Sequence, residues 1–171
     1  MNIPDGKAEV ARRFGVIARQ FCAVVDSASS MDKAELLARI YPILPKLIDE
    51  AIGLPDVELS ESATVHVNVS RKKQVEWGQR YNLLKEKLGD WDLYHQVFDP
   101  TADNEAIFGT LADDIADIYS DLKEGLDLSE TSSTPPDDVI WEWRLLFYSH
   151  WGKHAMDALL TIHFRLQNMP A

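Results

Sequence analysis

Apolar residues recur every three or four positions along most of this chain, a spacing that places them on one face of an α-helix. The first such stripe, within residues 8–27, consists of Val10, Phe14, Ile17, Phe21 and Val24 or Val25. A polar break follows, and Ser30 is positioned to cap a second helix that starts at Met31. The apolar pattern of that second segment continues to Ile52. These patterns predict two amphipathic helices in the first third of the chain.

Proline residues and a change of period interrupt the pattern after the second helix begins. Pro42 and Pro45 lie inside it and predict a kink or a break, because proline lacks the backbone donor and clashes with the preceding turn. Residues 54–70 are predicted to be an extended or irregular linker. Within them, Thr64–Ser70 alternates polar and apolar residues, the period of a strand, so pairing of this segment across a dimer axis is the alternative.

Helical periodicity returns over residues 72–88, where Gly89 is a stop signal, and a short aromatic segment over 91–98 follows. The helix over 110–126 has the clearest start, because Thr110 can cap it and an acidic residue three positions later completes a capping box. The apolar stripe of this acidic helix consists of Leu111, Ile115, Ile118, Leu122 and Leu126.

The last predicted helix runs from about Asp137 to Leu166. Its start is marked by Thr134-Pro135-Pro136-Asp137, with proline at the first helical position and acidic residues in the first turn. No internal repeat or sharp change in composition divides the chain. The sequence therefore predicts an all-α fold: a single-domain antiparallel bundle of five or six helices over residues 1–171, without a substantial sheet.

The charged residues are distributed unevenly along the chain, and the excess of acidic residues excludes some classes of function. The net charge is −11, from 28 acidic and 17 basic residues. The whole excess lies after residue 90, and between Asp92 and Asp138 there are 13 acids and one base, Lys123. An acidic surface repels phosphate backbones, so we expect no nucleic-acid partner. No apolar stretch approaches the length of a membrane span, so we expect no membrane partner either.

Other function classes lack their motifs. The chain contains no glycine-rich phosphate loop and no Gly-x-Ser-x-Gly nucleophile elbow, and we predict no cofactor and assign no catalytic residue. The single cysteine, Cys22, lies in an apolar run where a buried, inert thiol is the default. Because neither an export signal nor a set of paired cysteines is visible, we expect a cytoplasmic location.

One candidate site emerges where the last two predicted helices would pack together. Arg144 and His154 fall on the apolar face of the last helix, and His150 lies one turn before His154. On the acidic helix, Asp114 and Asp121 lie at the edge of the apolar stripe, with Asp117 between them and slightly further out. Polar groups beside an apolar face need partners, because an unpaired buried charge is costly. The candidate polar cluster is Asp114, Asp117, Asp121, Arg144, His150 and His154.

Three interpretations of this cluster remain open. In the first, which we favour, the charged pairs fix the register of two helices. In the second, the cluster forms a pocket for a small molecule or a partner, lined by the aromatic residues Trp141, Trp143 and Trp151. In the third, His150 and His154 bind a divalent metal ion with carboxylates from the neighbouring helix. The third is the weakest, because the Glu-x-x-His pairs of di-metal bundles and the His-Glu-x-x-His zinc motif are both missing.

An ordered run of motifs resembles a known bacterial family. The segments that carry it are residues 91–100, residues 109–126, Trp141-Glu142-Trp143-Arg144 and His150-Trp151-Gly152-Lys153-His154. They are similar to the domain-of-unknown-function family numbered five-zero-six-three, over most of the chain and most clearly from Trp91 to His163. The resemblance implies a bacterial, soluble, helical domain, and it supplies no activity or catalytic residue.

Two hypotheses for function follow. The first is a non-enzymatic helical domain that binds a protein partner or forms a homodimer, through an exposed surface of tryptophan residues on the last helix. The second is a domain, in which enzymatic activity is an open question, that binds a small ligand or a divalent metal at the candidate polar cluster. The sequence names no small-molecule ligand.

Overall fold

The computed structural model describes residues 4–60, 71–102, 105–131 and 133–168. The N-terminal half contains the helices α1 (Pro4–Asp26), α2 (Lys33–Ile40), α3 (Leu44–Ile52) and α4 (Arg71–Leu88). The strands β1 (Leu93–Val97) and β2 (Ala106–Thr110) come next. The chain then forms α5 (Leu111–Glu130), α6 (Pro136–Leu146) and α7 (Gly152–Gln167), with a π-helical turn over Phe147–Trp151 that joins α6 to α7. The predicted all-α fold class is confirmed.

The core is built from the apolar stripes that the sequence predicts. In α1, Phe14 and Phe21 are fully buried. The five residues of the α5 stripe are also buried, and so are Ile140, Trp143, Phe147, Trp151, Ala158 and Ile162 from the last helical segment. Phe14 contacts the rings of both Trp143 and Trp151, so α1 packs against the centre of that segment. The predicted stripe of α5 is therefore confirmed in full, and that of α1 is confirmed at Phe14, Phe21 and Val25, whereas Val10 and Ile17 are only partly buried.

The proline-containing segment breaks, as its sequence predicts, but the helix before it starts later than expected. The chain turns between Tyr41 and Ile43, and α3 begins with Pro45 near its N-terminus. Ser30 does not cap α2; the cap is Asp32, whose side chain accepts a hydrogen bond from the Glu35 amide. The preferred N-cap residues include aspartate as well as serine, and here it is the Asp32 carboxylate that lies within reach of the first-turn amide.

A small antiparallel hairpin replaces the aromatic segment for which no regular structure was predicted. β1 pairs with β2, with Tyr94 opposite Gly109 and His95 opposite Phe108. Exposed and half-buried residues alternate along β1, as expected of a strand with one face on the protein. The expectation of no substantial sheet is confirmed, because the one sheet in the described residues is this two-stranded hairpin. Thr64–Ser70 lies outside the described residues.

The α5 helix and the last helical segment run antiparallel, which the pairing of their side chains shows. Asp114, early in α5, contacts His154, whereas Asp121, two turns later, contacts the earlier residue His150. Close packing is possible because Gly125 has no side chain: a Cβ there would lie 2.0 Å from Nε1 of Trp143. In the part of the chain that the structure describes, none of the helices is long and apolar enough to cross a membrane.

Candidate functional site

Two histidine rings project from the last helical segment toward the acidic helix α5. His150 lies in the π-helical turn and His154 lies in the first turn of α7. The two rings are 5.0 Å apart between centroids and meet edge to face. The turn that carries His150 is closed by the Gly152 amide, which donates to the carbonyl of Phe147, five residues back. A Cβ on Gly152 would lie 2.3 Å from that oxygen, so the wide turn requires glycine at this position.

The Nδ1 atom of each ring is held by a buried carboxylate of α5. His150 Nδ1 lies 2.7 Å from Oδ2 of Asp121, and His154 Nδ1 lies 2.8 Å from Oδ1 of Asp114. Asp114 and Asp121 are among the few buried charged residues of the described chain. A carboxylate accepts a hydrogen bond, so each Nδ1 carries a proton and each neutral ring has its lone pair on Nε2.

The two Nε2 atoms face a third carboxylate, that of Asp117. Its Oδ2 lies 3.7 Å from Nε2 of His150 and 3.4 Å from Nε2 of His154. The other oxygen, Oδ1, accepts a hydrogen bond of 2.7 Å from the indole of Trp77 on α4. The indole thus fixes the carboxylate so that Oδ2 points at both rings. Sequence reasoning placed Asp117 at the outer margin of the cluster, whereas the structure places it at the centre.

A tyrosine from the hairpin completes the network, and sequence reasoning missed it. Tyr94 on β1 donates from its hydroxyl to Oδ2 of Asp114 at 2.6 Å, so both oxygens of that carboxylate are occupied. The ring passes over Gly109, where a Cβ would lie 2.7 Å from the side chains of Tyr94 and Gln96. No pattern in the sequence pointed to Tyr94 or to Trp77: along β1 the apolar residues Leu93 and Val97 are the exposed ones and Tyr94 is half-buried.

Burial and pairing act on the titratable groups in opposite senses. Burial raises the pKa of Asp114 and of Asp121, and the hydrogen bonds from His154, Tyr94 and His150 offset only part of that effect. The hydrogen bond to Asp121 raises the pKa of His150. Burial opposes the charged form of His154, but its contacts with Asp114 and the charge of Asp117 outweigh burial and raise the pKa. The carboxylates of the cluster therefore favour the protonated, positively charged form of both imidazole rings.

Two groups of side chains in the described residues have the spacing of metal ligands. In the first, one ligand atom from each of Asp117, His150 and His154 lies within 4.8 Å of the others. The second group, Asp113, Asp114 and His154, has the same spacing. Because both oxygens of Asp114 already accept hydrogen bonds, the first group is the better set of ligands.

A cavity of about 320 Å³ opens beside this first group. Asp117 and His150 form part of its wall, and the rest includes Lys73, Trp77 and Ser120. Lys73 forms an ion pair of 2.6 Å with Glu124, which also lines the cavity. A small molecule in this space would lie beside the side chains of His150 and Asp117.

Several predicted site residues lie elsewhere. Arg144 is not part of the cluster: it pairs with Asp56 at 3.1 Å and lies over the ring of Tyr148. The predicted aromatic lining is wrong for Trp143 and Trp151, which are fully buried in the core, and Trp141 is partly buried against that core. The prediction failed because a helical wheel shows which residues share a face of the helix but does not show how deeply each of them is buried.

Comparison with known proteins identifies a family and a shared fold. A family model described as a domain of unknown function, DUF5063, matches residues 6–167. The structure is similar to the crystal structure of protein BF1032 from Bacteroides fragilis, with a TM-score of 0.75 and 22% sequence identity over 92% of each chain. At this identity the likeness concerns the fold alone. No curated protein matches the chain.

Proposed function

The chain belongs to the DUF5063 family of domains of unknown function, and we propose, from the geometry of its site, that it binds one divalent transition-metal ion through His150, His154 and Asp117. In this proposal the ligand atoms are the two Nε2 atoms and Oδ2 of the carboxylate. Asp121, Asp114 and Trp77 are positioning residues that hold the three ligands.

The spacing of the three ligand atoms is the observation that carries the proposal. A hydrogen bond between an imidazole nitrogen and a carboxylate oxygen is typically 2.7–3.2 Å long, about the length of the two Nδ1 contacts. The two Nε2–Oδ2 separations, 3.7 and 3.4 Å, are longer. Ligands that bind zinc tetrahedrally at about 2.1 Å stand roughly 3.4 Å apart. Two of the three separations are therefore close to those of ligands around one ion, and all three ligand atoms lie within 4.8 Å of one another.

The hydrogen bonds behind the ligands support the same function. Histidine residues that bind metals almost always donate their other ring nitrogen to a carboxylate, a carbonyl or a water, which fixes the tautomer and the ring orientation. Both rings have such a carboxylate. A pairing that served only to fix helix register would not need the free nitrogen of both rings to converge on one further oxygen.

The donor set favours a particular group of ions. Two imidazole nitrogens and one carboxylate oxygen suit zinc, iron, cobalt or nickel, whereas magnesium and calcium prefer oxygen ligands only. Three protein ligands leave at least one coordination position for water or another molecule, as in catalytic zinc sites. The cavity lined by Lys73, Trp77 and Ser120 also has Asp117 and His150 in its wall, so a small molecule bound there would lie beside two of the three ligand residues.

The alternative function, protein interaction through a tryptophan surface, has lost its main support. Trp143 and Trp151 belong to the core, and their indoles are not available to a partner. For this reason metal binding is the preferred function.

The test is metal binding by protein purified without a histidine tag and stripped with chelator. Titration with Zn²⁺ and Co²⁺ should give one site per chain, and the Co²⁺ form should show visible absorption typical of four- or five-coordination. His150→Ala and His154→Ala should each lower the affinity by more than the roughly 10–100-fold that loss of a positioning residue costs. The matched control is His163→Ala, because His163 lies on the same helix but pairs with Tyr41.

Two outcomes would overturn the proposal. One is a wild-type protein that binds Zn²⁺ and Co²⁺ no more tightly than the double variant His150→Ala/His154→Ala. The other is a specific site whose affinity depends on His163 and is indifferent to His150. In the first case, a loss of folding stability in the two single variants would identify the pairs as structural.

A further inference from the structure

A second cavity, separate from the candidate metal site, lies between β1 and the C-terminal half of α7. Its volume is about 380 Å³, within the usual range for small-molecule sites. Its walls include Trp91, Tyr94, Leu160, Phe164 and Arg165. We propose that this cavity binds a small organic carboxylate, with an aromatic or branched apolar body against the rings and the carboxylate on Arg165.

The charge of the cavity supports an anionic ligand. Arg165 is the charged residue of its wall, and the wall contains no aspartate or glutamate. The guanidinium donates one hydrogen bond of 2.8 Å, from Nη2 to the carbonyl of Leu93. Within the described residues no carboxylate lies close enough to form an ion pair with it, and nearby Asp90 is paired with Lys33.

The geometry of arginine makes a carboxylate the natural partner. The guanidinium group is planar and has five N–H donors in a fixed arrangement. The contact with the Leu93 carbonyl uses only one of these donors. Two parallel hydrogen bonds to the two oxygens of a carboxylate match this arrangement. Because the Leu93 contact holds the side chain in place, little conformational entropy is lost when a ligand binds.

The apolar part of the wall determines what the anion carries. Leu160 and Phe164 are 60% and 54% exposed, large fractions for apolar side chains. They stand one turn apart on α7, and Met156, one turn earlier, is also exposed. Trp91 is partly buried against the core and forms a further apolar wall. An inorganic anion would leave this surface in water, whereas an aromatic or branched body would cover it.

The cavity shares one residue with the candidate metal site without depending on it. Tyr94 is part of the cavity wall, while its hydroxyl is bound to Asp114. The proposal rests on Arg165 and the apolar wall and holds whether or not His150 and His154 bind an ion. For the same reason Tyr94 is left unchanged in the variants that follow.

The experiment uses 3-phenylpropionate as the probe and 3-phenylpropionamide as a neutral control of the same shape. Calorimetry should give saturable binding of the acid, and ¹⁵N spectra should show shifts at the Trp91 indole and the Arg165 amide. The amide should bind at least about tenfold more weakly, because it lacks the charge-assisted hydrogen bonds to Arg165. Acetate, which has no apolar body, should bind more weakly than the acid as well.

Variants separate the two halves of the site. Arg165→Gln keeps a donor for the Leu93 carbonyl but removes the charge, and should abolish the preference for the acid over the amide. Phe164→Ala should weaken both probes. The matched control is Arg12→Gln, which removes an arginine that pairs with Glu9 on the exposed face of α1 and should change nothing.

The comparison of acid with amide in the unaltered protein keeps the proposal falsifiable even if Arg165→Gln folds poorly. Equal binding of acid and amide, or shifts confined to residues outside β1 and α7, would overturn it. Failure to bind metal would leave this result untouched, and failure to bind the acid would say nothing against the metal site.

Discussion

At the scale of single residues, the two nitrogens of each site histidine have different tasks. Nδ1 of His150 is bound to Asp121 and Nδ1 of His154 is bound to Asp114, which leaves each Nε2 atom directed at Asp117. The carboxylates behind the rings therefore decide which nitrogen presents a lone pair. Their effect should be measurable without removing any ligand.

Asp121→Asn is the substitution that isolates this effect. The asparagine side chain keeps the size of aspartate but loses its charge, and in one orientation its amide group would donate to Nδ1 and move the proton to Nε2. We expect the affinity for Zn²⁺ to fall about 10–100-fold with one site per chain retained, as for other carboxylates behind a metal ligand. Competition with a chromogenic chelator measures this change.

The matched control for that substitution is Asp127→Asn. Asp127 lies on the same helix, and its carboxylate is exposed and pairs with Lys123 at 2.7 Å. It should leave the affinity unchanged. Equal affinities of the two variants would mean that Asp121 does not position His150.

At the scale of elements, the hairpin and α5 form one unit because Tyr94 links them. The Tyr94 ring reaches Asp114 only by crossing Gly109 on the paired strand. The first turn of α5 is also tied to the residue just before β1, since Oδ1 of buried Asp92 accepts a hydrogen bond from the Ala112 amide at 2.8 Å. The strand pair thus acts as a brace for the N-terminal end of the acidic helix.

Gly109→Ala tests this brace. The new Cβ would lie 2.7 Å from the side chains of Tyr94 and Gln96, so the ring must move away from Asp114. We expect the free energy of unfolding to fall by about 1–3 kcal/mol, the usual cost of overpacking. Urea denaturation measures it.

Gly78→Ala is the control for this change. Gly78 lies inside α4 with open space around it, and alanine there should stabilise the helix by up to about 1 kcal/mol. If Gly109→Ala lowers the free energy of unfolding and Gly78→Ala raises it, the packing around Tyr94 contributes to the stability of the fold. A neutral or stabilising Gly109→Ala would contradict the role of the hairpin as a brace.

Elements set by local sequence were predictable, and those set by distant contacts were not. The start of α5 follows from Thr110, whose side chain accepts from the Asp113 amide as the capping pattern predicts. The strand partner of Tyr94 lies 15 residues further along the chain, beyond the reach of a periodicity argument. The π-helical turn adds a residue that a 3.6-residue wheel cannot represent, and its one local signal was Gly152.

At the scale of the whole molecule, the charge excess divides into solvated and buried parts. The buried acids of the described chain are Asp92, Asp114, Asp121 and Asp138, and each has a hydrogen-bond donor. Asp138, for example, accepts from both the amide and the hydroxyl of Ser60, which ties the segment after α3 to α6. The sequence placed Asp114 and Asp121 at the edge of the apolar stripe, and the structure has both of them buried. Their partners, which the sequence does not show, are what distinguish a structural from a functional role.

The stability difference between the wild type and a variant without the two histidines should change with pH in opposite directions in the absence and in the presence of metal. The pKa values of His150 and His154 are raised by their aspartate partners, so both rings bind a proton more tightly in the folded than in the unfolded chain. Their contribution to the free energy of unfolding is fully present below about pH 6.5, the usual pKa of histidine, and is lost as the pH rises through the folded-state values. In chelator, the stability difference between wild type and His150→Gln/His154→Gln should therefore shrink as the pH rises from 6 to 8.

With buffered Zn²⁺ the same difference should grow over that range. An ion at the Nε2 atoms competes with the protons there, so its affinity increases as the rings lose them, and ligand binding to the folded state adds stability by mass action. Urea denaturation of the same two proteins at pH 6, 7 and 8, in chelator and in Zn²⁺, measures both slopes. Two parallel slopes would mean that the imidazole–aspartate pairs only stabilise the fold, whereas slopes of opposite sign require an ion on the side of the rings that faces Asp117.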